Sequence, residues 1–220
     1  MITSLTAEKL ACARGERRLF DALSFQVRAG QALAVEGANG AGKTSLLRLL
    51  AGFLAPAAGR VFIRQDGKDS DDAEDRGKQV GWLGHHDGLK PQLTVAEQLA
   101  FYAGLYGPLR PASPATSPVN GGGKAEVLDR VGLTRQADLP CRYLSAGQRR
   151  RLALARLVIS ERPLWLLDEP FAALDTSGQA LVAQLMAIHC GAGGIIIAAT
   201  HDTLGLGNEI LRIGNESLKL

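Results

Sequence analysis

The sequence predicts an α/β protein with a parallel sheet covered on both faces, and three observations carry that reading. Helical segments alternate with short, wholly apolar strands at residues 164–167 and 195–199. A glycine-rich loop joins a strand at residues 32–36 directly to a helix at residues 43–51. With 220 residues, 46% hydrophobic and 21% charged, the chain can bury the core of one domain and a smaller subdomain, but two full domains would be cramped.

Along the chain, β-rich stretches at residues 9–13, 23–27 and 32–36 come first, separated by the turn formers Gly15 and Gly30. After the first helix, strands are expected at residues 60–64 and 79–84, with Asp69, Ser70, Asp71 and Asp72 between them as a solvated loop. Thr94 opens a helix through a capping box closed by Glu97, and Val95, Leu99, Tyr102 and Tyr106 recur at helical spacing. Gly107 and Pro108 end it. Residues 107–123, rich in Pro, Ser, Ala and Gly, read as a flexible surface insertion, and a helix over 124–131 resumes, with Gly132 as its C-terminal cap. A long amphipathic helix follows Ser145, then the apolar strand, a helix near residues 178–189 and the last apolar strand. The helices between Thr94 and Ser160 interrupt the strand–helix alternation and read as a helical subdomain. There is no internal repeat.

Composition narrows the function classes. A net charge of +3, with basic clusters only at Arg14, Arg17 and Arg18 and at Arg149, Arg150 and Arg151, does not argue for nucleic acid. The second cluster falls in the first turns of a helix, where solvated positions and contacts to neighbouring loops are expected. Cys12, Cys141 and Cys190 lie far apart, as in a reducing compartment, and read as small buried hydrophobes. The N-terminus has no basic stretch followed by an apolar segment, so no secretory signal is expected. The apolar runs are much shorter than the roughly 20 residues a membrane helix needs, so any action at a membrane would be from its surface.

Three motifs carry chemistry. Gly37, Ala38, Asn39, Gly40, Ala41, Gly42, Lys43 and Thr44 fit G-x-x-x-x-G-K-[ST] between a strand and a helix, with Ser45 next in the helix. Glycines let backbone N–H groups curve around a phosphate, Lys43 reaches the β- and γ-phosphates of a nucleotide, and the Thr44 hydroxyl can ligate Mg²⁺. Asp168 and Glu169 end a buried strand at the sheet edge beside that loop. Asp168 is expected to hold Mg²⁺, and Glu169 to polarise the water that attacks the γ-phosphate. The third motif, Leu144-Ser145-Ala146-Gly147-Gln148, is a helix start with a serine N-cap and a glutamine at the capping-box position, and so a second anion site or simply a cap.

LSAGQ resembles the LSGGQ signature of ABC ATPases, with Ala146 replacing the first signature glycine. The resemblance covers nearly the whole chain, with its motifs in the right order. Residues 171–175, ending in Asp175, look like the D-loop, and His201 looks like the switch histidine that contacts the γ-phosphate. The resemblance implies a P-loop NTPase core of the ABC type with an N-terminal antiparallel β subdomain and an inserted α-helical subdomain. Residues 1–220 then form one ATP-binding domain, with 1–88 and 161–220 as the β and nucleotide core and 89–160 as the helical part. It also implies ATP and Mg²⁺ as cofactors and a head-to-tail homodimer in which Ser145, Gly147 and Gln148 act on the partner's nucleotide. Two positions depart from the family. His86 aligns with the usual glutamine and could meet Mg²⁺ or phosphate, and Arg14 aligns with the aromatic residue that stacks on adenine, Phe20 being the alternative.

Within the ABC group the sequence most resembles the CcmA family, the ATP-binding subunit of the haem exporter of bacterial cytochrome c biogenesis. The residues that carry this are the run from Gly84 to Lys90, LSAGQ running into Arg149, Arg150 and Arg151 and on to Leu157, Leu164 with Trp165, and Gly193 with Gly194. Membership implies a peripheral place on the cytoplasmic face of the bacterial inner membrane, with integral permease subunits docking near His86 to Tyr106. Another small-substrate exporter, a non-transport ABC ATPase and a small-molecule P-loop kinase are the alternatives; the kinase leaves Ser145 to Gln148 and His201 unexplained.

Overall fold

The structure, a computed structural model, describes residues 2–15, 17–106, 123–201, 204 and 209–214. Two sheets organise it. Strands β1 (Ile2–Arg14), β2 (Arg17–Arg28), β4 (Ala58–Gln65) and β5 (Lys68–Ser70) form an antiparallel sheet in the order β2-β1-β4-β5. Strands β3 (Ala32–Glu36), β6 (Val80–Leu83), β7 (Leu164–Asp168), β8 (Ile195–Ala199) and β9 (Glu209–Arg212) form a parallel sheet in the order β6-β7-β8-β3-β9.

Apart from Glu36 and Asp168 at their C-terminal ends, strands β3, β6, β7 and β8 are apolar because both faces are covered, whereas β9 at the sheet edge carries Glu209 and Arg212; the strand period of two sends alternate residues to opposite cores. Ala32, Ala34, Leu83, Trp165, Leu167, Ile196 and Ala198 face one core with helices α3 (Val95–Tyr106), α4 (Lys124–Arg130), α5 (Ala146–Ser160) and α6 (Thr176–Gly191). Leu33, Val35, Leu164, Leu166, Ile195, Ile197 and Ala199 face the other, which holds helix α1 (Lys43–Ala51) and the inner residues Leu5, Leu10, Val61 and Ile63 of the antiparallel sheet. Helix α1 is therefore clamped between the two sheets, and its N-terminus emerges at the C-terminal edge of the parallel strands, where β7 also ends.

The expected elements differ from the observed ones in three places. The first two strands are much longer than 9–13 and 23–27, because β1 pairs with both β2 and β4 along most of its length. The acidic segment 69–72 is not a solvated loop: Lys68–Ser70 is the edge strand β5, and Asp72 caps a six-residue helix α2 (Ala73–Lys78) by accepting from the Glu74 and Asp75 N–H groups at 2.7 and 2.9 Å. Arg76 of that helix is buried and donates to the carbonyls of Leu50 and Val61, tying α2 to α1 and β4; burial lowers its pKa. Strand β9 had no sequence signal.

Elsewhere the helix termini follow the sequence. Thr94 and Glu97 exchange capping-box bonds at the start of α3, and Gly132, at φ 65°, follows α4. The proposed insertion, apart from Gly123, lies outside the described residues. Cys12 and Cys141 are buried as expected, whereas Cys190 is only partly so; burial pushes its thiol up to about 11. Among the described residues, no helix is long and apolar enough to cross a membrane.

Candidate nucleotide site

Helix α1 begins without any capping side chain: Gly42 stands at its N-cap position in the left-handed region, φ 108°, and no acidic residue lies in the first turn. Its first N–H groups are thus left for a ligand, with the positive end of the helix dipole behind them. The loop that delivers the chain to this point needs glycine at Gly37, where an added Cβ would lie 2.2 Å from the Ile213 carbonyl oxygen at φ 154°. The Lys43 Nζ curls back over the loop, donating to the Gly37 carbonyl at 2.7 Å and lying 3.2 Å from His201 Nε2.

The edge of the parallel sheet brings the acids alongside. Thr44 Oγ1 donates to Asp168 Oδ2 at 2.9 Å, and His201 Nε2 lies 3.8 Å from Glu169 Oε1. Lys43, Thr44, Asp168, Glu169 and His201 are therefore one connected cluster, drawn from α1, β7 and the segment after β8. Glu169 itself has a left-handed backbone, φ 49°. A cleft of about 700 Å³ opens over this cluster, lined among others by Asn39, Gly40, Gly42, Lys43, Thr44, Ser45, Asp168 and Glu169.

Of the residues expected there, Arg14, His85 and His86 also line the cleft, with Arg17, Leu19, Arg48 and Trp82, which the sequence reading did not assign. Phe20 is not available as the adenine-stacking alternative: it is buried, 8% exposed, and sits beneath Gly42. Ala38 and Ala41 line a smaller cavity of about 150 Å³ beside Asn39 and Gly40, and Gly37 lines neither.

The LSAGQ residues are not part of this cleft. Ser145 caps α5, accepting from the Gln148 N–H at 3.2 Å while its own N–H donates to Gln148 Oε1 at 2.9 Å. Ser145 and Ala146 are exposed, and Gly147 packs against the segment before α6, where a Cβ on it would lie 3.3 Å from the Ala173 carbonyl oxygen. Asp175 caps α6 through the Gly178 N–H at 2.8 Å, and that bond, followed by the Ser177 hydroxyl, holds its carboxyl below the usual carboxylate range.

The arginine run after the signature divides by helical phase. Arg149 donates to the Leu144 carbonyl and Arg151 to that of Val131, whereas Arg150 is only 3% exposed and reaches Gly84, Asp87, Asp168 and Glu169. Three consecutive arginines give no periodic signal; which one turns inward depends on the 100° step of a helix whose phase the tertiary packing sets.

The donor set suits a nucleotide and a hard cation. A neutral hydroxyl and a carboxylate in contact supply oxygen ligands, few enough for a metal that keeps most of its shell in water and phosphate. The uncapped helix end and Lys43 supply donors and positive charge for the phosphates.

The family profile described as ABC transporter matches residues 20–172. A cytochrome c biogenesis ATP-binding export protein CcmA from Rhodopseudomonas palustris (strain BisB5) is 49% identical over 210 residues, covering 96% of this chain and 98% of the relative. The chain belongs to the ABC transporter family, in its CcmA branch. Two solved ABC structures share the fold. A putative ABC transporter ATP-binding protein from Pyrococcus furiosus has a TM-score of 0.77 at 20% identity, covering 96% of this chain and 98% of its own. The ATP-binding cassette MJ0796, solved as a dimer in a post-hydrolysis state with ADP and Pi, has a TM-score of 0.76 at 22% identity, covering 95% and 94%. As an ABC-family ATPase the chain uses nucleotide.

Proposed function

We propose that this chain is the ATP-hydrolysing subunit of a haem-exporting transporter of bacterial cytochrome c biogenesis, working as a head-to-tail homodimer on the cytoplasmic face of the inner membrane. The single observation that carries the hydrolytic part is the cluster of Lys43, Thr44, Asp168, Glu169 and His201 at the uncapped end of α1. The export pathway rests on the names of the relatives, and another small-substrate exporter is the alternative.

When bound, Mg²⁺ neutralises phosphate charge and ATP supplies the bond that is broken. The chain's own residues do the rest. The N–H groups at the uncapped start of α1 and the Lys43 ammonium would hold the phosphates. Thr44 and Asp168 would hold the cation, with His86 reaching it from the far wall. Glu169 accepts hydrogen-bonding from the attacking water, and His201, beside both Lys43 and Glu169, meets the γ-phosphate. Arg14 offers a guanidinium face to the base.

Ser145, Gly147 and Gln148 lie outside their own chain's cleft, which supports their use on the nucleotide of a second copy, with Asp175 beside that joint. ATP then favours the closed pair and hydrolysis releases it. Residues 1–220 act as one domain with residues 89–160 as its helical part, and the permease subunits dock near His86 to Tyr106, where Phe101 and Leu105 on α3 are left exposed, as is Phe53 after α1. The test is Glu169→Gln in the assembled transporter. ATP turnover should fall by roughly 100-fold or more while ATP stays bound and the chain is captured as a dimer. A variant that binds ATP and remains monomeric sinks the in-trans reading.

A further inference from the structure

We propose that Arg150 is a positioning residue for ATP hydrolysis: its guanidinium holds the backbone at Glu169 and so fixes where the Glu169 carboxylate points. The inference rests on the reading of Glu169 as the group that polarises the attacking water.

Arg150 comes from the second turn of α5, yet its side chain is 3% exposed and ends under the nucleotide cleft. Its Nη2 donates to the Asp168 carbonyl at 2.7 Å and to the Glu169 carbonyl at 2.5 Å. Its Nη1 donates to the Gly84 carbonyl at 2.9 Å and to Asp87 Oδ1 at 3.2 Å. One planar group thus joins the end of β7 to the segment that carries His85 and His86 on the opposite wall of the cleft.

Glu169 needs such a fastening. Its φ of 49° places it in the left-handed region, which an L side chain adopts only when its surroundings hold it there. The surroundings are specific: the Glu169 N–H donates to the Ala199 carbonyl at 2.8 Å, its carbonyl accepts from the Ala172 N–H at 3.1 Å, and Arg150 supplies the remaining bond. A peptide pinned at both ends leaves the side chain few directions, and the direction taken is toward Lys43, His201 and the cleft. The burial of a full charge against three backbone carbonyls and the Asp87 carboxylate, with Nε left without a partner, is more than packing of α5 requires, since apolar neighbours on that face already bury the helix.

Lysine cannot reproduce this arrangement, because a single ammonium does not span carbonyls on two sides of a planar fork. In the assembled transporter, Arg150→Lys should lower kcat by between about 10- and 100-fold while the ATP Kd stays within about threefold of the parent. In a Glu169→Gln background the same substitution should leave the single-turnover rate where Glu169→Gln alone puts it, because the residue acts through the carboxylate already removed.

Asp87→Asn, at a half-exposed rim of the network, is the second variant and carries the test should Arg150→Lys not fold. It should reduce kcat about two- to fivefold with Kd unchanged. Wild-type kcat in either variant, an ATP Kd that rises in step with the loss of kcat, or an equal further slowing by Arg150→Lys in the Glu169→Gln background would overturn the proposal. Glu169→Gln turning over at the parental rate is a separate result: it removes the role of Glu169 itself, whatever Arg150 does.

Discussion

The tips of α1 and α5 both present helix N-termini to the surface, and they are furnished in opposite ways. Around the α1 tip the chain gathers a lysine, a hydroxyl, two carboxylates and a histidine, and leaves the helix itself uncapped. The α5 tip is already closed by the Ser145–Gln148 capping box and stands exposed. One tip is equipped to hold a charged ligand unaided; the other offers a small, firm surface that suits completing a site elsewhere. On the proposed reading, an ATPase built from two such halves is incomplete as a single copy.

The largest effect that would sharpen this contrast is at the α1 tip. Lys43→Ala removes the buried ammonium of the cluster and should cut ATP turnover by about 100-fold or more, read as phosphate release; near-parental turnover would break the asymmetry. At the α5 tip, Gly147→Asp should abolish ATP-driven dimerisation while monomer ATP binding, measured by equilibrium titration, changes less than about threefold. A large loss of monomer affinity would mean that the tip serves its own cleft.

Smaller effects separate fold from site. His189 stacks on Trp165 at 4.0 Å, is buried, and has its pKa pushed down to about 4, first by burial. The unfolded chain, with a histidine pKa near 6.5, binds the proton more readily, so this stability is present above about pH 6.5 and lost as pH falls toward 4. The loss is about 3 kcal/mol, to be read as Tm against pH; His189→Gln should flatten that acid slope. Gly194 belongs to the same arrangement, since a Cβ there would lie 2.2 Å from His189 Nε2. The smallest effect is Ser145→Ala, which removes one cap and should lower stability by about 1 kcal/mol, checked by denaturant unfolding.

Legibility in the sequence followed the range of the interactions involved. Helix α1 was placed to the residue, because the strand before it and the loop motif are local signals. The capping boxes at Thr94 and Ser145 were legible for the same reason. Strand β9 was not, because its pairing with β3 is made across the whole chain and its sequence, with three of four residues exposed, lacks an apolar run. The acidic segment misled because charge at an edge strand and at an N-cap looks like charge in a loop. In the site, residues named by motif were legible, while Arg17, Leu19, Arg48 and Trp82 were not, since nothing local says which side chains a distant loop will face.

The most direct test mixes two inactive chains, one carrying Lys43→Ala and the other Gly147→Asp, in the assembled transporter. If Ser145 and Gly147 of one copy complete the cleft of the other, half the randomly formed pairs contain one intact composite site, and ATP turnover returns to roughly a quarter of the parental rate. If each cleft were completed within its own chain, no pairing would restore a site, and the mixture would stay as inactive as its parts.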